Sequence, residues 1–116
     1  MLVVDDDAEF VALVARIFAA VGVEQILTAS DAAGALAEAV THRPAWVLVD
    51  IGLPDRDGAD LAQEIAMLPW SPRVVLTSSD RDWVVAGDSV PGAAALPFVP
   101  KEDLAEGTLR KLFKAQ

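Results

Sequence analysis

Short apolar runs, rich in β-branched residues, alternate along the chain with longer stretches in which apolar positions recur every three or four residues. The runs fall at residues 2–4, 25–28, 46–49, 74–76 and about 95–99, and each predicts a buried parallel strand, apolar on both faces. Between the first two, Phe10, Leu13, Val14, Ile17 and Val21 form a helical stripe that Gly22 ends. Ala33, Leu36, Ala37 and Val40 form a second stripe, entered at Ser30-Asp31 and closed before Pro44. Leu61, Ile65 and Leu68 form a third, entered near Asp57 and ended by Pro69. The fourth helix, over residues 82–90, is predicted to be short or irregular, because it holds Trp83, Val84, Val85 and Gly87 and runs straight into Pro91-Gly92. Leu104, Leu109, Leu112 and Phe113 mark the last helix. Its first turn carries Glu102 and Asp103 and its last carries Arg110, Lys111 and Lys114, the signs that the helix dipole favours.

Five strands separated by helices predict an α/β fold, a doubly wound five-stranded parallel sheet. Right-handed crossovers then place helices on both faces. In such sheets ligands bind beyond the C-terminal strand ends, near a switch in strand order. The residues that end the strands therefore matter most: Asp5-Asp6-Asp7, Ala29-Ser30, Asp50, Thr77-Ser78 and Lys101.

Composition narrows the function. A length of 116 residues predicts one domain, 1–116, and a 53% hydrophobic content excludes disorder. Alanine fills 21 positions, which favours helices packed closely on a flat surface. The net charge of −9 argues against direct nucleic-acid binding and for divalent cations or basic partner surfaces. With no Cys and the single His42, thiolate sites and paired imidazoles are excluded. No apolar run approaches ~18 residues, so no membrane span is expected. The N-terminus turns acidic after Val4 and does not read as a signal peptide, which predicts a cytoplasmic protein.

Acidic groups end the first and third strands, a hydroxyl ends the fourth and an ammonium ends the fifth. Carboxylates brought together repel, and a hard divalent cation such as Mg²⁺ removes that cost. Lys101 can balance the remaining charge or bind a phosphoryl oxygen, and Thr77 can donate to the same oxygens. Together they read as a site for a phosphoryl group carried on a carboxylate. Each residue alone also has a plainer reading: the acidic triplet as a helix cap, Asp50 as a turn residue, Thr77 as a helix entry, Lys101 as a surface charge. Their coincidence at four strand ends favours the site. Trp46 and Trp70 read as packing residues, His42 as a solvated helix end, and Trp83 as a candidate for partner contact.

The chain resembles the receiver domain of two-component response regulators over essentially its whole length. Leu2-Val3-Val4-Asp5-Asp6-Asp7 is similar to that family's first strand and acidic pair. Trp46-Val47-Leu48-Val49-Asp50-Ile51-Gly52-Leu53-Pro54-Asp55-Arg56-Asp57-Gly58 resembles its phosphoacceptor segment, Val74-Val75-Leu76-Thr77-Ser78-Ser79 its fourth strand, and Phe98-Val99-Pro100-Lys101 its fifth. The resemblance implies a flavodoxin-like strand order 2-1-3-4-5. It implies that Asp50 accepts a phosphoryl group from a sensor histidine kinase or phosphotransfer protein. Mg²⁺ would be held by Asp5, Asp6, Asp50 and the Gly52 backbone carbonyl. Lys101 would pair with phosphoryl oxygens, and Thr77 and Phe98 would act as switch residues that alter the surface of the fourth helix, fifth strand and fifth helix. A monomer or a phosphorylation-promoted dimer is implied, acting on a downstream protein or output domain. At most, weak self-phosphorylation and autodephosphorylation are implied as activity.

The chain departs from the family in having Glu102 after Lys101, where many receivers have proline. Pro97 and Pro100 fit an edge strand, but their opposite parity requires one of them to lie beyond the ladder. Two other readings stay open: a small haloacid-dehalogenase-type phosphohydrolase with Asp5 as nucleophile, and a degenerate receiver that only binds a protein. The chain is expected to be either a stand-alone receiver or a piece of a longer regulator.

Overall fold

The protein, as a computed structural model, is described over residues 1–20, 22–23, 25–79 and 96–101. Its elements run β1 (Leu2–Val4), α1 (Ala8–Ala20), β2 (Leu27–Ala29), α2 (Ala32–His42), β3 (Trp46–Asp50), α3 (Gly58–Ala66), β4 (Arg73–Ser78) and β5 (Phe98–Pro100). All pairings are parallel and the order is 2-1-3-4-5, as expected. The predicted fourth and fifth helices, Val21, Trp83 and the peptide following Lys101 lie outside the described residues.

A strand turns successive side chains to opposite faces, and the central strands are apolar throughout because both faces are covered. Leu2, Val4, Val47, Val49, Val74 and Leu76 pack with α2 and α3 in one buried cluster. Val3, Leu48, Val75 and Val99 meet Phe10, Val14 and Phe18 of α1 in the other. Full burial of one such side chain stabilises by about 1.5–3 kcal/mol relative to exposure, so each helix is held chiefly by its contact with the sheet.

Two helices bury a different line from the one their sequence suggests. In α1 the buried residues are Phe10, Val14 and Phe18; Leu13 is 42% exposed and Ile17 half-buried. In α2 the buried line is Ala32, Ala35 and Ala39, one position round from the expected Ala33, Leu36, Ala37 and Val40, and Val40 is 65% exposed. Methyl side chains let the α2 backbone lie close to the sheet, with Leu36 flanking it half-buried. Ranking positions by hydrophobicity misplaces a contact line made of alanines. In α3, Leu61 and Ile65 are buried as expected.

Helix ends follow local chemistry. Gly22 adopts a left-handed φ of 96°, and the Gly22 and Val23 amides return to the Ala19 and Phe18 carbonyls, closing α1. Asp31 caps α2 through the Gly34 amide at 2.7 Å, and Asp57 caps α3 through the Ala59 amide at 2.8 Å. Arg43, left-handed before Pro44, ends α2, and its guanidinium lies 4.8 Å over the Trp70 ring. The Trp70 indole in turn donates to the Pro44 carbonyl, so Trp70 is a packing residue, as is half-buried Trp46 beside the α1 cluster. His42 sits exposed in the last turn of α2, 3.4 Å from Glu38.

The two prolines of the last strand resolve by parity. The Leu76 amide donates to the Pro97 carbonyl, just ahead of β5, so Pro97 faces β4 before the paired residues begin. Pro100 pairs with Ser78 at the opposite parity, which turns its missing N–H to the open edge.

The α2 contact line makes a direct test. Ala35→Leu is expected to lower stability by about 1–3 kcal/mol through overpacking. Ala37→Leu, on the exposed side, is expected to stay within about 0.5 kcal/mol of the parent. Urea unfolding of the two variants measures the difference.

Candidate metal centre

Four chemically active side chains meet because their strands are in phase. Val3, Leu48, Val75 and Val99 bury on the α1 face, and Asp5, Asp50, Thr77 and Lys101 each follow two residues later. A period of two therefore carries all four toward that face just past the apolar core. Asp50 pairs with Thr77 across β3 and β4, and Thr77 pairs with Val99 across β4 and β5. The Asp5 amide extends the β1 ladder by donating to the Ala29 carbonyl at 3.0 Å.

The three acids after β1 divide their roles. Asp7 is the helix cap of the plainer reading: its Oδ1 accepts from the Glu9 and Phe10 amides at 3.0 and 3.3 Å. Asp5 is buried, with Oδ1 accepting from the Asp7 amide at 2.9 Å. Its buried Oδ2 lies 2.8 Å from Lys101 Nζ in an ion pair. Asp6 stays exposed. Carboxylate oxygens of Asp5, Asp6 and Asp50 all lie within 4.8 Å of one another.

Lys101 stands between the carboxylates, 3.7 Å from Asp50 Oδ2, with its ammonium 4.6 Å from the centroid of the Phe10 ring. Burial alone would lower its pKa, but the contact with Asp5 and the charge of Asp50 outweigh burial and raise it. The Asp50 carboxyl is pushed above the ordinary range by burial, with the charges of Asp5 and Asp6 adding to the effect. The Gly52 amide, 3.2 Å from Asp50 Oδ1, and Lys101 oppose it. Thr77 is fully buried, and its Oγ1 has no hydrogen-bond partner among the described residues.

The loop after β3 is fixed closely. The Ile51 amide donates to the Thr77 carbonyl and the Gly58 amide to the Ile51 carbonyl, each at 3.0 Å. Gly58 is required by proximity: a Cβ there would collide with the Asp50 carbonyl oxygen and the Ile51 Cα, both backbone atoms that cannot swing away.

All the expected carboxylates thus come together, with Thr77 and Lys101 beside them. Gly52 lies next to Asp50 through its amide. Phe98 is out of phase with them: it pairs with Leu76 and packs on the α2–α3 cluster, on the other face of the sheet. Two participants were not expected from the sequence. Phe10 was read as core, and nothing in its helical spacing marks it as the wall behind Lys101. Asp55 accepts from the Ala32 and Ala33 amides at 2.9 and 3.1 Å, a contact across more than twenty residues that leaves no local signature. These bonds hold its carboxyl below the ordinary range.

The donor set suits Mg²⁺. It is made of hard carboxylate oxygens, with exposed Asp6 leaving room for retained water. Three carboxylates and one ammonium carry a formal charge of about −2, which a divalent cation neutralises.

A family model for the response regulator receiver domain matches residues 1–112. The transcriptional regulatory protein PdtaR of Mycobacterium tuberculosis is 33% identical over 97% of the chain and 58% of its own length. The chain thus spans little more than half of that relative. The chemotaxis protein CheY of Bacillus subtilis is 27% identical over 98% of the chain and 94% of its own length. Among solved structures, a CheY-like receiver domain protein from Methanospirillum hungatei superposes with a TM-score of 0.80 at 23% identity, covering 97% of this chain and 88% of the other. The signal receiver domain of a modulated diguanylate cyclase from Desulfovibrio desulfuricans gives 0.83 at 21% identity, covering 97% and 88%.

The raised Asp50 pKa links the site to stability. A carboxyl whose pKa is higher folded than unfolded binds its proton more tightly in the folded chain. Its contribution favours folding below the ordinary value of 3.8 and is lost as pH rises through the folded value, so at neutral pH the Asp50 charge opposes folding. Asp50→Asn is therefore expected to raise the melting temperature by a few degrees at pH 7, and the gain to shrink as the wild-type carboxyl becomes protonated. Thermal unfolding of both proteins across acid pH checks this.

Proposed function

Since the chain belongs to the response regulator receiver domain family, we propose that it works as the phosphorylation-driven switch of a two-component pathway with Asp50 as phosphoacceptor. Receiver domains are signalling modules, and what remains is which of this chain's residues do the work. The observation that carries the reading is Thr77 Oγ1, a buried hydroxyl with no hydrogen-bond partner among the described residues, on the residue that pairs with Asp50. A buried donor left unsatisfied costs about 1–3 kcal/mol. A phosphoryl oxygen on Asp50 would satisfy it.

In the transfer, a carboxylate oxygen of Asp50 attacks phosphorus. An O–P bond forms as the donor's bond to phosphorus breaks, P–N in a phosphohistidine or P–O in acetyl phosphate, and the electron pair leaves with the donor. Burial favours this step by stripping the carboxylate of water, at the expense of the raised pKa. Mg²⁺ would supply positive charge for the phosphoryl oxygens, held by Asp5, Asp6, Asp50 and the Gly52 carbonyl. Lys101, already drawn in by Asp5 and steadied against Phe10, would contribute a second cation, and Thr77 a hydrogen bond. The haloacid-dehalogenase reading requires Asp5 as nucleophile. Asp5 is tied at one oxygen to the Asp7 amide and packed at the other against Lys101, which favours Asp50.

Drawing Thr77 inward would move the end of β4, and the β4–β5 ladder would pass the change to Phe98 on the opposite face. The responding surface would be β5 with the fourth and fifth helices read from the sequence. A sensor histidine kinase or phosphotransfer protein would supply the phosphoryl group, and a downstream protein or output domain would read that surface, with the receiver as a monomer or a phosphorylation-promoted dimer. Turnover of its own would be confined to weak self-phosphorylation and autodephosphorylation. A cytoplasmic setting goes with this reading, and none of the described helices is long and apolar enough to cross a membrane.

Acetyl phosphate with MgCl₂ is expected to raise the intact mass by one phosphoryl group, and Asp50→Asn to abolish the gain. Thr77→Ala is expected to retain labelling but slow it by about tenfold or more, as for loss of one donor to a developing charge. Labelling that persists in Asp50→Asn overturns the assignment. With beryllofluoride as phosphoryl mimic, hydrogen-exchange changes are expected to concentrate in residues 77–104. Changes concentrated in residues 10–40 would remove the proposed coupling.

A further inference from the structure

The amino end of α2 is served by two carboxylates. Asp31 caps it locally through the Gly34 amide, as its position just ahead of the helix dictates. Asp55 reaches the same end from the β3–α3 loop, bonding the Ala32 and Ala33 amides. Sheet order gives the second tie a meaning that the first lacks. Asp31 follows β2 and Asp55 follows β3, while β1, which leads into Asp5 and Asp6, lies between them. The Asp55 bonds therefore join the segments that follow β2 and β3, on either side of β1.

The loop that Asp55 belongs to also holds Gly52, three residues earlier, whose amide donates to Asp50 Oδ1 at 3.2 Å. Beyond Asp55, Asp57 caps α3 and Arg56 pairs with Glu64 of the same helix at 3.2 Å. The part of the loop nearest the cluster thus has α3 on one side and Asp50 on the other. Among the described residues, its hydrogen bonds to α2 are those of Asp55.

We propose that Asp55 is a positioning residue for the metal, holding the Gly52 segment beside Asp5, Asp6 and Asp50 by anchoring the β3–α3 loop to the first turn of α2. This rests on the reading of the cluster and the Gly52 carbonyl as the Mg²⁺ site. Without the anchor the loop samples more conformations, and metal binding must order it, which weakens affinity. By reciprocity, bound metal should tighten the anchor. Asp31 separates this role from helix capping, because its loss weakens the same helix end without freeing the loop.

Calorimetric titration with MgCl₂ alone, at 0.5 M KCl to screen the surface charge of Asp55, tests the proposal on the full chain. Asp55→Ala is expected to weaken Mg²⁺ binding by about tenfold, the lower range for loss of an outer partner of a metal site. Asp55→Asn, which keeps one acceptor oxygen, should fall between it and wild type. Asp31→Ala should lower the melting temperature yet bind Mg²⁺ as wild type does. Exchange of the Ala32 and Ala33 amides should slow on adding Mg²⁺ in wild type and not in Asp55→Ala. Unchanged affinity in Asp55→Ala, or an equal loss in Asp31→Ala, overturns the positioning role while leaving the metal site intact. A wild-type chain that does not bind Mg²⁺ overturns the metal reading, and this inference with it.

Discussion

The contact between Lys101 and Asp5, at 2.8 Å, is the one on which the rest of the site depends. It brings the residue after the last strand to the end of the first, across β3 and β4, and so draws the C-terminal edge of the sheet together. Asp50 lies close enough to share the same ammonium. Removing one partner of a buried pair of this kind typically costs about 3–5 kcal/mol, because the other charge stays behind in a poor solvent. Two buried carboxylates balanced by one ammonium leave excess negative charge, which favours a cation beside them.

The site is dry on one side and open on the other. Thr77, Asp5 and Asp50 are buried, and Asp6 is exposed. The buried members include the Asp50 carboxyl, pushed up by burial, while the exposed one leaves the cluster open to solvent. Phe10 closes the wall behind Lys101 with an aromatic face, so the ammonium is steadied without a further anion. The same α1 that covers the apolar core below thereby shapes the polar edge above it.

Acidic residues do structural work around this edge as well. Asp7, Asp31 and Asp57 each cap the helix that follows them, and Asp55 caps one that it does not precede. Carboxylates near a helix amino end are favoured by the unsatisfied amides and the dipole. Much of the net charge of −9 is consistent with this use, so the acidity does not by itself identify a metal-binding protein. The carboxylates of the candidate site are those left over at strand ends after the caps are assigned.

The sequence by itself determined the strand–helix alternation, the parallel sheet, and the residues that end each strand, because a strand buried on both faces must be apolar throughout and must stop where charge begins. Asp5, Asp50, Thr77 and Lys101 were legible for that reason. Helix registers were less so: α2 docks on Ala32, Ala35 and Ala39, and an alanine line is defined by how closely two surfaces approach rather than by hydrophobicity. Only the tertiary structure decided that Lys101 pairs with Asp5 more closely than with Asp50, that Phe10 backs it, that Thr77 Oγ1 lacks a partner among the described residues, and that Asp55 binds the start of α2. Each of these joins residues from different elements. Chain sequence specifies which groups lie near one another along a helix or strand, whereas distances between elements follow from how the layers pack.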